Sequence, residues 1–369
     1  VSLPDGSKVP AEVLNEKTRL IREVPFGDKM MEYMVRLPKD WGMSNFARYG
    51  LPGEETYTIM TNIARYYGPA IEDVLPFFWL EVQKLNRFVT AESYVRGYML
   101  KNGITPEALV VSSEKQAEAL YVDTRDGRSY AIRTNYHLEG PYIVKASVGV
   151  PVASYSDYKD MMGLIMRSFQ LVKPIPGQIE EILERKLLNV VRFKYYASWN
   201  PKNELVQTAL HSSIEMHNPQ EDKNKDGTLL QGVILIDAWR TTTNLDPKAP
   251  LNDIKARLDE LRMELLEEPV QPEVKWQLRD EFISITENRY HALIKRPVSM
   301  DEFGVVKSEE TKTRQEVWIT VMDNGYYKAY LTLITPLEDT NYRVWAQNRA
   351  AYDLLIKTLQ LRPAPKEEY

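Results

Sequence analysis

A strand, a proline and a long amphipathic helix occur in that order twice along this chain, and the repetition restricts the folds open to it. Tyr142 to Val150 is rich in β-branched and aromatic residues, as a strand requires, and Pro151 ends it. Ser154 follows as a candidate N-cap, because a serine hydroxyl can accept from an orphan helix N–H. Tyr155, Tyr158, Met162, Ile165 and Phe169 then recur at steps of 3 and 4, which places all five on one helix face. In the second copy Pro336 closes the strand, and the helix face reads Trp345, Asn348, Tyr352, Leu355 and Leu359. Each of these five lies 190 positions after its counterpart, whereas Gly140 and Gly325, Tyr142 and Tyr327, and Pro151 and Pro336 are 185 apart. The second strand-to-helix turn is therefore five residues longer. A fixed offset held through a strand and a helix points to a repeated unit.

The front of each unit repeats as well. Tyr33, Val35 and Leu37 precede Trp41 at alternate positions, and Val191, Phe193 and Tyr195 precede Trp199 in the same way. Behind the first Trp, strands are expected at 77–85, 107–112, 117–123 and 129–138, and residues 56–67 fit strand or helix. A helix is expected over 91–101, stopped by Gly103. In the second unit, Leu251, Ile254, Leu258, Leu261 and Leu265 predict a helix over 251–267. Strands are expected at 281–287 and 290–294, followed by a hairpin through Asn324-Gly325. Pro174, Pro176 and Gly177 mark the boundary between the units. The reading is thus an extended lead-in (1–29), a first α/β domain (30–173), a linker with a short helix (174–188), a second domain with insertions (189–361) and a tail (362–369). A chain of 369 residues is long for one core and comfortable for two.

Each unit closes on a similar run, Ser168-Phe169-Gln170-Leu171 and Thr358-Leu359-Gln360-Leu361. In its order of opening strand, tryptophan, antiparallel strands and closing strand–proline–helix, the chain resembles the PsbP-like superfamily, which includes the Ran-binding Mog proteins. The resemblance covers about residues 30–172 and 189–361 and rests on order and pattern. It implies an α+β fold of two tandem α/β/α sandwich domains, each with a central, mainly antiparallel sheet. It also implies a non-catalytic protein whose partners are proteins. That family has no shared catalytic set to carry over. The tandem arrangement and the insert depart from its single-domain members, which leaves the identity of the partner open.

Composition removes several other roles. The net charge is −5 with both signs interspersed, so no basic field stands ready for a phosphate backbone, and nucleic acid is not an expected partner. No apolar run approaches the ~20 residues of a membrane-spanning helix, and no stretch reads as a secretory signal. The absence of cysteine excludes disulfides, thiol nucleophiles and thiolate metal sites. It suits an exported, periplasmic protein of a bacterium, with the cytoplasm as the alternative. No nucleophile elbow, P-loop or dinucleotide fingerprint occurs, so neither catalytic residues nor a bound cofactor are expected. Of the four histidines, none forms a helical pair, and His211 and His217, beside Glu215, are the two to check for a metal or hydrolytic site.

The sharpest local motif is Asp222-Lys223-Asn224-Lys225-Asp226-Gly227-Thr228. Asp222, Asn224 and Asp226 offer oxygens at alternate positions, Gly227 allows a tight bend, and Thr228 can add a backbone carbonyl, as a calcium site needs. The twelfth position is Val233 rather than a bidentate glutamate, so an EF-hand is not expected, and a solvated loop is the competing reading. Aromatic pairs at Tyr66-Tyr67, Phe77-Phe78-Trp79, Tyr195-Tyr196 and Tyr326-Tyr327 carry a different message. Neighbours on a strand point to opposite faces, so each pair needs either cover on both faces or a binding partner. The leading expectation is a protein-binding scaffold of the cell envelope or a secretion complex. The alternatives are a calcium- or small-ligand-binding module, and a hydrolase with a scattered His and carboxylate site. If the 222–228 loop binds calcium, titration gives a heat signal that disappears in Asp222→Ala/Asp226→Ala.

Overall fold

The computed structural model describes residues 3–4, 6–44, 57–125, 127–199, 201–218, 232–240, 255–256, 258–260, 263–266, 268–270, 274–294 and 313–364. The chain divides into two compact units, Val1–Glu180 and Glu181–Tyr369. The first opens with helix α1 (Ala11–Lys17) and strand β1 (Thr18–Glu23). β1 pairs with β2 (Tyr33–Pro38), and β2 also takes β10 (Gln170–Leu171), making a three-stranded sheet. A seven-stranded antiparallel sheet runs in the order β3 (Gly42–Met43), β4 (Thr61–Tyr67), β5 (Phe77–Lys84), β9 (Tyr142–Pro151), β8 (Arg128–Glu139), β7 (Gln116–Arg125) and β6 (Pro106–Ser113). Helix α3 (Tyr155–Ser168) packs between β2 and one face of this sheet, and helix α2 (Ala91–Asn102) lies on the other.

The second unit repeats this plan. β11 (Ile182–Leu187), β12 (Val191–Tyr196) and β21 (Gln360–Leu361) form its three-stranded sheet. The large sheet runs β13 (Pro201–Gln207), β14 (His211–His217), β15 (Val233–Arg240), β20 (Tyr327–Pro336), β19 (Thr313–Asp323), β18 (Ser284–Ile294) and β16 (Met263–Leu265), with β17 (Val274–Lys275) also paired to β18. Helix α4 (Tyr342–Thr358) packs on β12 and β20. Both units are therefore α/β/α sandwiches built on antiparallel sheets. No helix among the described residues is long and apolar enough to cross a membrane.

The repeated offsets have a physical counterpart. Near the end of α3, Ser168 Oγ accepts from the Arg36 amide of β2 at 2.9 Å; near the end of α4, Thr358 Oγ1 accepts from the Lys194 amide of β12 at 3.1 Å. One turn on, Val172 N donates to Glu32 O at 2.8 Å and Arg362 N to Val190 O at 2.7 Å. The predicted helix faces are the packed ones. Tyr155, Tyr158, Met162, Ile165 and Phe169 all join the inner core of the first unit. Asn348, Tyr352, Leu355 and Leu359 are buried in the second, and Trp345 Nε1 donates to Glu316 at 2.9 Å.

Several local expectations are corrected. Residues 178–188 hold no helix: Ile182–Leu187 is a strand, because its backbone pairs antiparallel with β12 through a turn at Leu188 and Asn189, both at φ 52. The neighbouring prolines are not a free linker either, since Ile175 is buried in the first core. The helix expected over 251–267 is cut short. Residues 255–256 and 258–260 are helical, but Met263–Leu265 is a strand paired with Ala292–Ile294. An edge-strand partner has overridden the 3-4 rhythm. The strands expected at 281–287 and 290–294 are one continuous strand, β18. Ser154 makes no side-chain cap, because it sits at ψ 0 inside a 3-10 turn, Val152–Ser154, that leads into α3. The lead-in contains α1 and β1, and Gly6 (φ +74) lies so close to α3 that a Cβ would stand 2.3 Å from Leu164 N.

The two closing helices hold their units through their last apolar residues. Leu359→Ala is expected to cost the second unit, and Phe169→Ala the first, about 2–5 kcal/mol, with half-buried Phe169 at the lower end. Denaturant unfolding of each variant measures this, and two unchanged transitions would place both side chains outside the cores.

Candidate functional site

The face of the first large sheet that carries α2 is only partly covered by it. α2 packs on β6, β7 and β8. Towards β4 and β5 the same face bears Arg65, Tyr67, Phe77 and Trp79, because pleating sends alternate residues to one side. Tyr66 and Phe78 go to the inner core, so each aromatic pair is split between the faces. Arg125 and Tyr130, where β7 and β8 meet, complete the cluster. The Arg65 guanidinium lies over the Trp79 ring at 5.0 Å and that of Arg125 at 4.6 Å. Arg125 also lies 5.2 Å from the Phe77 ring. Phe77 and Trp79 are 4.4 Å apart, and Tyr67 meets Trp79 edge-on at 6.4 Å. Phe77 can lie flat because Gly149 is beneath it: a Cβ there would stand 2.3 Å from the ring. Arg65 Nε donates to Asn62 Oδ1 at 3.1 Å, and Arg125 Nε to Asp123 Oδ2 at 3.0 Å.

Beside this cluster lies a buried polar row. Lys145 Nζ pairs with Glu81 Oε2 at 2.9 Å and sits 4.6 Å from the Tyr98 ring of α2. Burial works against its ammonium, but Glu81 and the neighbouring tyrosine rings outweigh that and hold the pKa above an ordinary lysine value. Burial pushes the hydroxyls of Tyr121 and Tyr136 up as well. Thr134 Oγ1 and Ser147 Oγ meet at 3.0 Å. The row thus keeps a charged lysine and neutral phenols, a poor set for nucleophilic or acid–base work near neutral pH.

The strand register identifies the equivalent positions of the second unit. Tyr142–Pro151 corresponds to Tyr327–Pro336, so Phe77 and Trp79 correspond to Val233 and Leu235, and Arg65 and Tyr67 to Glu215 and His217. Arg125 and Tyr130 correspond to Ile294 and Gln315. The same fold is therefore built without the two arginines and the tryptophan.

The histidines do not assemble. His211 Nε2 pairs with Asp237 Oδ1 at 2.8 Å and stacks on Trp239 at 3.7 Å, while His217 pairs with Glu215 at the far end of β14. His137 pairs with Glu139 at 3.1 Å. His291 is held below the usual histidine pKa by burial and by Arg289. Among the described residues no group of three or more His, Asp or Glu is placed to hold a metal. Asp222, Asn224, Asp226 and Thr228 lie outside the described residues. Sequence reasoning singled out Tyr66-Tyr67 and Phe77-Phe78-Trp79 but missed Arg65 and Arg125. The period-2 register of Arg65 with Tyr67 was the available signal for the first. Nothing local announces the second.

No family model matches the chain, and no curated protein does. Solved structures do. The solution structure of cyanobacterial PsbP from Synechocystis is 8% identical, over 42% of this chain and 92% of that one, with a TM-score of 0.29. The Saccharomyces cerevisiae Ran-binding protein Mog1p is 12% identical, over 50% of this chain and 97% of that one, with a TM-score of 0.28. TplEi, an immunity protein of T6SS from Pseudomonas aeruginosa, is 8% identical, over 94% of this chain and 98% of that one, with a TM-score of 0.19. These are likenesses of fold alone, and they include the PsbP and Mog types that the sequence resembles.

The buried pair beside the cluster gives a clear expectation. Glu81→Gln leaves Lys145 buried without its counter-charge and is expected to cost about 3–5 kcal/mol, while an apolar replacement of both residues recovers most of it. Because the folded-state pKa of Lys145 is raised, its contribution is complete below the ordinary 10.5 and is lost only as pH rises through the higher folded value. Urea unfolding of wild type, Glu81→Gln and the doubly apolar variant at pH 7 measures the cost and its recovery, and an undiminished gap between wild type and Glu81→Gln from pH 7 to 10 checks the direction of the shift.

Proposed function

We propose that this is a non-catalytic protein that binds other proteins, and that the Arg65–Trp79–Arg125 face of the first unit is where it does so. The observation that carries the reading is the comparison within the chain. Tryptophan and arginine, the side chains most enriched at binding hot spots, occupy positions that the second unit fills with Leu235, Glu215 and Ile294. The fold does not require them there, and they are half-buried at the margin of α2 rather than sealed beneath it.

A setting in the bacterial cell envelope or a secretion complex belongs to the same proposal, and the absence of cysteine is what the sequence contributes to it. A calcium contact at the 222–228 loop is a separate proposal with its own titration. To test the binding face, the tagged chain and its Trp79→Leu/Arg125→Gln variant, which places at residue 79 the side chain that the second unit carries there, are used to capture proteins from extracts of the source cells. The wild type is expected to retain a reproducible set of proteins, and the variant at least tenfold less of them at an unchanged Tm. Equal retention by both would overturn the assignment of this face.

A further inference from the structure

We infer that the place on α3 where the lead-in lies is a peptide-binding groove, which takes a short Pro-x-Gly segment of polypeptide and in this chain is filled by residues 3–6. Arg133, at its floor, shares a row with Val148 of the inner core, so the groove is on the side of the first large sheet opposite the Arg65–Trp79–Arg125 face and independent of it. The lead-in is held there through its main chain. Arg133 of β8 donates to the Pro4 carbonyl while it pairs with Glu118 of β7. Gly6 is buried against α3, where an added Cβ would stand 2.6 Å from the Leu164 Cα and 2.9 Å from the Gly163 carbonyl carbon. Its φ of +74 is one that residues with side chains rarely adopt. Val9 N then donates to Gly6 O at 3.1 Å, which closes a turn ahead of α1. Among the described residues, 3–9 form no ladder with any strand. The segment therefore sits in the groove as a bound peptide does, and not as part of a sheet.

The second unit closes the same place with side chains. The fixed offset between the helices puts Asp353 at the position of Gly163, Leu354 at that of Leu164 and Arg349 at that of Lys159. Strand register puts Glu287 at the position of Glu118 and Trp318 at that of Arg133. Arg349 lies 3.9 Å from the Trp318 ring and reaches from Asp353 at 2.8 Å to Glu287 at 3.4 Å, so helix and sheet are tied directly. In the first unit Lys159 is exposed and Gly163 has no side chain to offer. The glutamate takes its cation from the sheet instead, and that cation goes on to the Pro4 carbonyl. Leu164 is buried whereas Leu354 is only half-buried, because the lead-in covers α3 at this point. Such a groove reads main-chain conformation. Proline presets φ to about −65° at the carbonyl that meets Arg133, and glycine two residues on allows the positive φ and the close approach to the helix. A tethered occupant competes at an effective concentration of about millimolar, so a partner segment of this type enters only as the lead-in leaves.

The probe is a fluorescein-labelled heptapeptide, Leu-Pro-Asp-Gly-Ser-Lys-Val, with the sequence of residues 3–9, and the acceptor is the full chain carrying Gly6→Val, which cannot seat its own lead-in. Fluorescence anisotropy is expected to show saturable binding to that variant, binding at least tenfold weaker to wild type, and none when valine replaces the glycine of the probe. Adding Gly163→Asp, the residue type of the second unit, is expected to weaken binding at least tenfold in a chain that melts as Gly6→Val does. On the unaltered wild type, excess unlabelled heptapeptide is expected to speed hydrogen exchange in residues 1–10, read by mass spectrometry. A folded Gly6→Val chain that does not bind the heptapeptide, equal binding of the glycine-free probe, or indifference to Gly163→Asp would overturn the groove. If Gly6→Val does not fold, the exchange measurement decides: an unchanged rate at heptapeptide concentrations above that of the tether overturns the groove, and a faster one supports it. None of these substitutions touches the Arg65–Trp79–Arg125 face, so the outcome is separate from that of the capture experiment.

Discussion

The structure depends on a strand that is buried on both faces, present once in each unit. All ten residues of β9 are buried, and all but one of β20. A strand of that kind cannot face water on either side, so it requires a neighbour along each edge and a layer over each face. In the first unit α3 and the three-stranded sheet supply one layer and α2 the other. In the second, α4 covers one face, and Leu258, from the short helical stretch, joins the core on the opposite one. Most of the polar side chains carried by these strands are satisfied internally, the buried Oγ1 of Thr332 being an exception. Lys145 finds Glu81 and Ser147 finds Thr134, while Thr335 receives an N–H from Asn348 on α4. Lys145 faces the side that carries the candidate binding surface, so satisfying the strand and arranging that surface are linked.

The two units meet this constraint with different interiors. At one helix slot the first unit places Met162 and the second Tyr352, whose hydroxyl donates to Leu331 O at 2.7 Å and meets Thr320 Oγ1 at 2.8 Å. Around it lies an ionic network more extensive than the Glu118–Arg133 pair that the first unit places at the positions equivalent to Glu287 and Trp318. Glu316, fully buried, accepts from Arg289, Trp318, Trp345 and the Glu338 amide, so both of its oxygens are occupied. Glu287 accepts from Thr320 and Arg349, and Arg349 lies 3.9 Å from the Trp318 ring. Buried charges are costly unless paired and hydrogen-bonded; Glu316 and Glu287 draw their partners from both the sheet and α4, whereas the buried Nε of Arg289 has none. The helix is thereby fixed in orientation by polar geometry as well as by packing.

The sequence made legible what has a period. The 3-4 stripes of the closing helices, the alternation before Trp41 and Trp199, and the Asn-Gly hairpin at Gly325 (φ +85) all reappear, because each is set within one element. What it misread depended on partners far along the chain. Ile182–Leu187 is a strand because β12 is beside it, and Met263–Leu265 because Ala292–Ile294 is beside it. The candidate site was half visible for the same reason. Tyr67, Phe77 and Trp79 stand out as aromatic neighbours, but Arg125 stands on β7, beyond β9 and β8 from Trp79 on β5, so their contact is set by the strand order of the sheet and not by anything local in the sequence.

Repetition of a fold makes a difference in side chains interpretable. At equivalent register positions, whatever the architecture demands should recur in kind, and where the closing helix meets the opening strand it does: Ser168 and Thr358 both bind that strand, and both units end on an apolar residue, Leu171 or Leu361, paired to it. On the opposite face, beyond the reach of α2, kind is not preserved. Arg65, Phe77 and Trp79 stand where Glu215, Val233 and Leu235 stand in the second unit. The large sheet tolerates either set, so neither is dictated by the need to bury β9 or β20. Stability fixes the centre of each sandwich and leaves the ends of β4, β5 and β7 free to vary. A tryptophan held under two guanidiniums is an improbable use of that freedom for packing alone, since Leu235 fills the same place at less cost in polar atoms.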